Sequence, residues 1–211
     1  MSTFKRAGST SVLSTIVSIA ATVGALAFAG TASAGDTYVG GAWAVRTTND
    51  LNCAAGAACE KASKSSGKIF AGYDFSTTTY SGFNLTQGVE AMAYQIGDTK
   101  ATFATGAGAK NGTGNSSGTG MFYKLDFGNE NYGFITRIGA TYAHSSVDFA
   151  AGGRETENAW FAPAVGLGAR YSVTKNISLT ADWDRLPAKF SSSNSEKSVN
   201  NMFSIGMSYK F

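Results

Sequence analysis

The strict alternation at the C-terminal end of the chain constrains its fold more than any other feature. Between Asn201 and Phe211 the apolar residues Phe203, Ile205, Met207, Tyr209 and Phe211 interleave with Ser204, Gly206, Ser208 and Lys210. A two-residue period is that of an extended strand with one apolar face. Here that face is carried to the last aromatic, as expected of a strand whose outer side lies against lipid. The sequence predicts the closing strand of a membrane barrel.

The other end of the sequence agrees. Met1 to Ala34 has a short basic start (Lys5, Arg6), an apolar stretch from Val12 to Phe28 diluted by Ser and Thr, and Ala32-Ser33-Ala34 before Gly35. These are the parts of a secretory signal peptide cut after Ala34. A transmembrane helix fits less well, because small and hydroxylated residues run through the stretch and no second apolar helix follows. No cysteine follows the cleavage site to support a lipid anchor. The expected domains are thus a cleaved segment 1–34 and a barrel over 35–211.

Charge excludes one class of partner. The chain carries 17 Lys and Arg against 14 Asp and Glu, and removing Lys5 and Arg6 leaves 15 against 14. An excess of one charge spread along the mature chain makes no basic stripe, so nucleic acid is not an expected partner. The 26 glycines, 12% aromatic content and two prolines fit an all-β protein that spreads its apolar surface thinly.

About eight extended segments follow: Thr37 to Val45, Lys68 to Phe75, Gly82 to Ile96, Gly118 to Phe127, Tyr132 to Val147, Ala159 to Val173, Asn176 to Leu186 and Ser198 to Phe211. Long connections are expected at Arg46 to Gly67, Gly97 to Ser117, Asp148 to Asn158 and Pro187 to Lys197. Short ones are expected at Ser76 to Tyr80, Gly128 to Asn131 and Thr174-Lys175. Alternating short turns and long loops characterise transmembrane barrels, and an even strand count puts both ends of the barrel on the periplasmic side. The expected fold is all-β: an eight-stranded antiparallel up-and-down transmembrane β-barrel with short periplasmic turns and long extracellular loops.

Parity assigns the faces. Met121, Tyr123, Leu125 and Phe127 point out with Lys124 and Asp126 in; Phe134, Ile138 and Tyr142 point out with Arg137 in. Phe161, Val165, Leu167, Ala169 and Tyr171 face away from Ala162, Ala164, Gly166, Gly168 and Arg170. Ile177, Leu179, Ala181 and Trp183 oppose Ser178, Thr180, Asp182 and Asp184. In the third segment Val89, Ala91 and Ala93 face out, but Tyr94 to Ile96 break the alternation and suggest a bulge.

The inward charges are Glu90, Asp126, Asp182 and Asp184 against Lys124, Arg137, Arg170 and Lys210. The interior of an eight-stranded barrel is just wide enough for side chains to fill, so these groups must pair with each other. A polar plug that fixes strand register is the favoured reading, ahead of an ion path lined by breakable salt bridges. Cys53 and Cys59, the only two cysteines, are expected to form a disulfide in the first long loop, since export favours oxidation. Closing so short a loop is worth roughly 2 to 3 kcal/mol. No metal site or cofactor is expected. The Gly-rich tract Thr105 to Gly120 lacks the Lys-Ser/Thr step and the strand-to-helix context of a phosphate loop, and reads as a flexible outer loop.

Several segments carry a family resemblance: Thr37-Tyr38-Val39-Gly40-Gly41, Gly88-Val89-Glu90-Ala91, Ile138-Gly139-Ala140-Thr141-Tyr142-Ala143, Gly166-Leu167-Gly168-Ala169-Arg170-Tyr171, Ile177-Ser178-Leu179-Thr180-Ala181-Asp182-Trp183 and Phe203 through Phe211. With these the mature chain resembles the OmpA-like small outer membrane proteins of Gram-negative bacteria, without the C-terminal peptidoglycan-binding domain of better-known members. The resemblance implies that Phe203, Ile205, Met207, Tyr209 and Phe211 are read by the barrel-assembly machinery after passage with periplasmic chaperones. It also implies that Glu90, Lys124, Arg137, Arg170 and Asp182 occupy lumenal network positions. Expected partners are outer membrane lipid and lipopolysaccharide, with a host or surface ligand reached through the loops, and the expected state is a monomer.

One pattern has the elements of a catalytic site. His144, Ser145 and Ser146, followed by Glu155 and Glu157, evoke the Ser, His and acid of outer-membrane lipid A deacylases. The surrounding sequence does not resemble the deacylase motif, so a non-enzyme is expected. The function expected is a structural and surface-display role with a plugged lumen, the alternative being a narrow ion or small-solute channel.

Overall fold

The computed structural model describes residues 35–50, 65–105, 108–189 and 197–211. The expected signal segment 1–34, Cys53 and Cys59 lie outside them. Eight strands follow one another: β1 (Asp36–Asp50), β2 (Gly67–Tyr80), β3 (Phe83–Thr105), β4 (Gly108–Gly128), β5 (Tyr132–Phe149), β6 (Arg154–Ser172), β7 (Ile177–Lys189) and β8 (Lys197–Lys210). Each pairs antiparallel with the next, and β8 closes on β1 through pairs such as Tyr38↔Lys210 and Ala42↔Gly206. Closure leaves no sheet edge in the paired zone, as a sheet surrounded by lipid requires.

The period-two pattern explains what faces where. Met121, Phe134, Ile138, Leu179, Ile205 and Met207 are exposed on the outside, while Lys124, Arg137, Thr180 and Asp182 alternate with them and are buried. Aromatics collect at both ends of this apolar band. At the short-turn end Phe83 stacks on Phe127 (ring centroids 5.3 to 5.4 Å here and for Tyr132 against Tyr171) and Tyr209 meets Phe211 edge-on. At the opposite end Tyr142 packs on Trp160 at 4.5 Å. Two aromatic belts with an apolar band between them are the exterior of a membrane-spanning barrel.

The short turns are built from their own residues. Tyr80 pairs with Phe83 across Ser81 (φ 45°) and Gly82 (φ 88°), two consecutive left-handed residues as a type I′ hairpin needs. The strands therefore run through Ser76 to Tyr80, which the sequence assigns to the turn. Asn129 Oδ1 accepts from the backbone N–H groups of Asn131 and Tyr132, and Thr174 Oγ1 accepts from those of Asn176 and Ile177. Both are local side-chain turns.

The long connections differ more from expectation. β3 and β4 continue to pair beyond Ile96↔Ser116 as far as Thr105↔Gly108, so most of the tract expected as a flexible loop is strand. β5 and β6 pair out to Asp148↔Arg154, leaving a short turn where a loop from Asp148 to Asn158 was expected. β7 and β8 likewise reach Lys189↔Lys197. Tyr94 and Ile96 do not break the alternation: with Met92 they continue the inward face, and the register shift lies farther on, between Ile96 and Thr99.

Glycine has a steric use in this lumen. Tyr38 lies directly across from Gly72, Phe70 from Gly40, Tyr94 from Gly118, Asp182 from Gly168 and Asp184 from Gly166. A Cβ on any of these glycines would collide with the facing side chain. Gly118 in the glycine-rich tract thus makes room for the lumenal tyrosine rather than loosening a loop. The interior fills with Tyr38, Phe70, Met92, Tyr94, Ile96, Phe122, Ala164, Leu186 and Met202 packed into one apolar cluster beside the charges.

The outward assignment of β7 is directly testable. Ala181→Arg places a cation against lipid between Leu179 and Trp183, and is expected to cost about 2–4 kcal/mol of folding free energy, read by urea titration in lipid vesicles. An unchanged transition would contradict the assigned face.

Candidate functional site

The site is the set of ionisable groups that the inward parity brings together. Arg137, at the middle of β5, is 1% exposed and reaches across the lumen in two directions. Its Nε donates to Glu90 Oε1 of β3 at 2.8 Å and its Nη1 to Asp182 Oδ1 of β7 at 2.8 Å. Tyr38 of β1 donates its hydroxyl to the other Glu90 oxygen at 2.8 Å. Lys68 of β2 completes the ring from the opposite wall, with its Nζ 3.1 Å from Asp182 Oδ2 and 2.6 Å from Asp184 Oδ2. One connected network therefore ties together five of the eight strands. Phe70 lies under both cations, with Lys68 Nζ 5.7 Å and the Arg137 guanidinium 5.8 Å from its ring centroid.

Two further pairs continue toward the short turns. Lys124 binds Asp74 at 2.7 Å and sits 4.0 Å from the Tyr38 ring centroid. Arg170 binds Asp126 at 2.7 Å and also donates to Ser172 and to the backbone carbonyl of Asn129, which fastens the β4–β5 turn to β6.

Of the expected lumenal residues, Glu90, Arg137, Asp182 and Asp184 share the central network, while Lys124, Asp126 and Arg170 form the two outlying pairs. Lys210 belongs to neither. It pairs with Asp36 at 2.5 Å, and both side chains are about half exposed at the barrel rim. Parity reveals the face of a residue but not its depth along the barrel, and Lys210 is the terminal residue of the last strand. Three members escape the expectation: Lys68, Asp74 and Tyr38. All sit at inward parity in β1 and β2, where Lys68, Phe70, Gly72 and Asp74 alternate as clearly as the charges of β7.

The central network holds three carboxylates against two cations in a space closed to solvent. Such groups are costly to bury singly, and the geometry repays that cost through short, charge-assisted contacts. Several polar atoms on the β7–β8 wall have no protein partner: Thr180 Oγ1, Asp184 Oδ1, Ser204 Oγ and both side-chain polar atoms of Asn200. Phe203, Ile205, Met207, Tyr209 and Phe211 are all exposed on the outer wall of the last strand and its end.

The residues that evoked acyl hydrolysis are not assembled for it. His144 is exposed and its Nδ1 lies 2.8 Å from Asn158 Oδ1. Ser146 is buried, donates to Asn115 at 2.9 Å and accepts from Arg154 at 3.0 Å. Glu157 pairs with Lys189. No hydrogen bond links the serine to the imidazole among the described residues.

Removing one partner of the central network leaves buried charge unpaired. Arg137→Met is expected to destabilise the refolded barrel by about 3–5 kcal/mol, and combining it with Glu90→Gln and Asp182→Asn is expected to recover much of the loss. Urea unfolding in vesicles measures both; strict additivity of the three changes would show that the network is not coupled.

The chain is similar to several known proteins. A search of the solved structures finds Ail, the attachment invasion locus protein of Yersinia pestis, in a complex with the heparin analogue sucrose octasulfate (16% identity, 84% of this chain and 97% of that one, TM-score 0.47). It also finds Neisserial surface protein A (18% identity, 85% and 98%, TM-score 0.43) and the outer membrane protease OmpT of Escherichia coli (8% identity, 84% and 93%, TM-score 0.40). The activities of those proteins are theirs. No curated protein sequence matches this chain. The profile of the outer membrane protein β-barrel domain matches residues 13–211. The chain belongs to that family, and is a small OmpA-like integral protein of the cell outer membrane.

Proposed function

We propose that this protein is a non-enzymatic structural and surface-display barrel, which contributes to envelope integrity and presents its outer hairpins to the exterior, with a sealed lumen. The observation that carries the reading is the Arg137 network. It crosses the lumen from β1 and β3 to β7 and back to β2, with Glu90 and Arg137 almost wholly buried. A chain of paired charges packed beside Tyr94, Leu186 and Met202 supports a plug rather than a pore. Function then resides in what projects outward, above all the extended β3–β4 and β5–β6 hairpins.

In this reading 1–34 is removed on export, the exposed alternation from Phe203 to Phe211 is recognised by the barrel-assembly machinery, and Cys53 and Cys59 staple the first outer connection. The barrel works as a monomer, and adhesion to a host or surface ligand is the role proposed for the hairpins. One observation favours the narrow-channel alternative: the unpartnered polar atoms from Thr180 to Asn200 line one wall, where small ions or water could be accommodated.

A deletion strain complemented with either the full chain or a chain shortened between residues 98 and 117 tests the proposal. Deletion is expected to raise uptake of a hydrophobic dye severalfold. The shortened barrel is expected to restore the dye barrier while losing surface attachment. Unchanged dye uptake on deletion, together with unchanged attachment, would refute the role.

A further inference from the structure

The outward face of β5 changes chemistry at Tyr142. On one side of it the wall shows Phe134 and Ile138 to lipid, and on the other the same parity carries His144, Ser146 and Asp148. The neighbouring strands continue with it. β4 stays paired to β5 as far as Gly112↔Phe149, and β6 as far as Asp148↔Arg154. From the Tyr142–Trp160 ring pair, which marks the outer interface, to Asp148 this three-stranded wall runs about 20 Å along the strand. Register sets its outward side chains in rows. Ser117, His144 and Asn158 lie side by side nearest the rings. Asn115, Ser146 and Thr156 follow, and Thr113, Asp148 and Arg154 form the outermost row.

A face that is merely solvated tolerates long, mobile charged side chains. This one carries short polar groups already fastened to one another. Asn158 Oδ1 accepts from the Tyr142 hydroxyl at 2.9 Å and lies 2.8 Å from His144 Nδ1, so the imidazole donates through that nitrogen. Ser146 donates to Asn115 Oδ1 and accepts from Arg154 Nη2, while Arg154 Nε lies 3.7 Å from Asp148. Asp148 and Arg154 offset each other, and on the flanking β3 Lys100, opposite Thr113, is offset by Asp98. The face is therefore neutral. His144 and Asn158 are exposed, and the amide N–H groups of Asn158 and Nε2 of His144 make no hydrogen bond among the described residues. Trp160, 69% exposed, forms the edge nearest the membrane.

The ligand that suits such a face is flat, uncharged and rich in groups that both donate and accept. A sugar hydroxyl does both, and the C–H face of a pyranose packs on an aromatic ring. Side chains fixed in advance by their own hydrogen bonds lose little freedom on binding. Strand spacing and rise make the rows about 10 Å wide and about 13 Å deep, the footprint of two linked pyranose rings. We propose that the outward face of β4, β5 and β6 beyond Tyr142 binds a neutral oligosaccharide displayed on another cell. One ring lies on Trp160, and its hydroxyls are shared among Asn158, His144 and Ser117. The site rests on the display role proposed above and gives the chemical class of its surface ligand. Phosphates and acidic sugars, such as those of lipopolysaccharide, need an unpaired cation, and the one guanidinium on this face is already held by Asp148 and Ser146.

The test titrates the refolded barrel in detergent micelles with lactose, maltose and chitobiose, and separately with the anionic core oligosaccharide of lipopolysaccharide, reading binding by saturation-transfer NMR. At least one neutral disaccharide is expected to bind with Kd about 1 mM or tighter, and the core oligosaccharide about tenfold more weakly. Trp160→Ala, and the pair His144→Ala with Asn158→Ala, are each expected to weaken the disaccharide about tenfold. Ser117→Trp covers the row nearest the rings while leaving the hydrogen bonds of Asn158 in place, and is expected to abolish binding. Heat-modifiable migration checks that each variant folds. Silence from all three disaccharides, tighter binding of the core oligosaccharide, or native affinity in Ser117→Trp would overturn the proposal. Surface attachment separates its failure from that of the display role. Cells carrying Ser117→Trp are expected to lose attachment as the chain shortened between residues 98 and 117 does. Attachment kept with Ser117→Trp but lost with the shortened chain would remove the sugar site and leave the display role, whereas attachment kept with the shortened chain would remove both.

Discussion

Everything inside this barrel depends on one buried guanidinium. Eight strands enclose an interior that side chains can just fill, and Arg137 stands in its middle with a carboxylate on either side, Glu90 and Asp182. It is the group that joins these two acids, and Lys68 and Tyr38 extend the same network to β2 and β1. A membrane barrel has little soluble core to hold its strands in register, because its exterior is solvated by lipid. Here the register is fixed from within, by charges that meet only if each strand keeps its place. A slip of one residue on β7 would turn Asp182 and Asp184 into lipid and bring Ala181 and Trp183 into the lumen.

The charges need volume, and glycine supplies it. Asp182 and Asp184 face Gly168 and Gly166 across the β6–β7 ladder, as Tyr38 faces Gly72 and Tyr94 faces Gly118. A narrow lumen can hold long side chains only where the opposite strand offers none. The high glycine content is therefore part of the same design as the ion network, and the apolar cluster around Ile96, Leu186 and Met202 closes what remains.

Much of this was legible in the sequence because a strand's period of two survives any context. The barrel class, the eight strands, the outward rows of β4 to β8 and the inward positions of Glu90, Arg137, Asp182 and Asp184 follow from parity alone. Depth does not. Lys210 has the parity of a lumenal residue yet sits at the rim with Asp36. Composition misled where one residue type has two uses: the glycines between Thr105 and Gly120 read as flexibility, and Gly118 proves to be clearance for Tyr94. Tyr94 and Ile96 read as a break because the face they continue was expected to be polar, whereas the lumen mixes an apolar cluster with its charges. Lys68 and Asp74 were as visible as their partners and were missed because β2 carries large residues on both faces.

The central claim is that the Arg137 network seals the lumen. The most direct measurement is single-channel conductance of the refolded barrel in planar bilayers at neutral pH. The account predicts a silent membrane from the native chain over a wide voltage range. Steady current through the native barrel, with the Glu90, Arg137 and Asp182 contacts intact, would contradict it and make the unpartnered polar wall of β7 and β8 a conduction path.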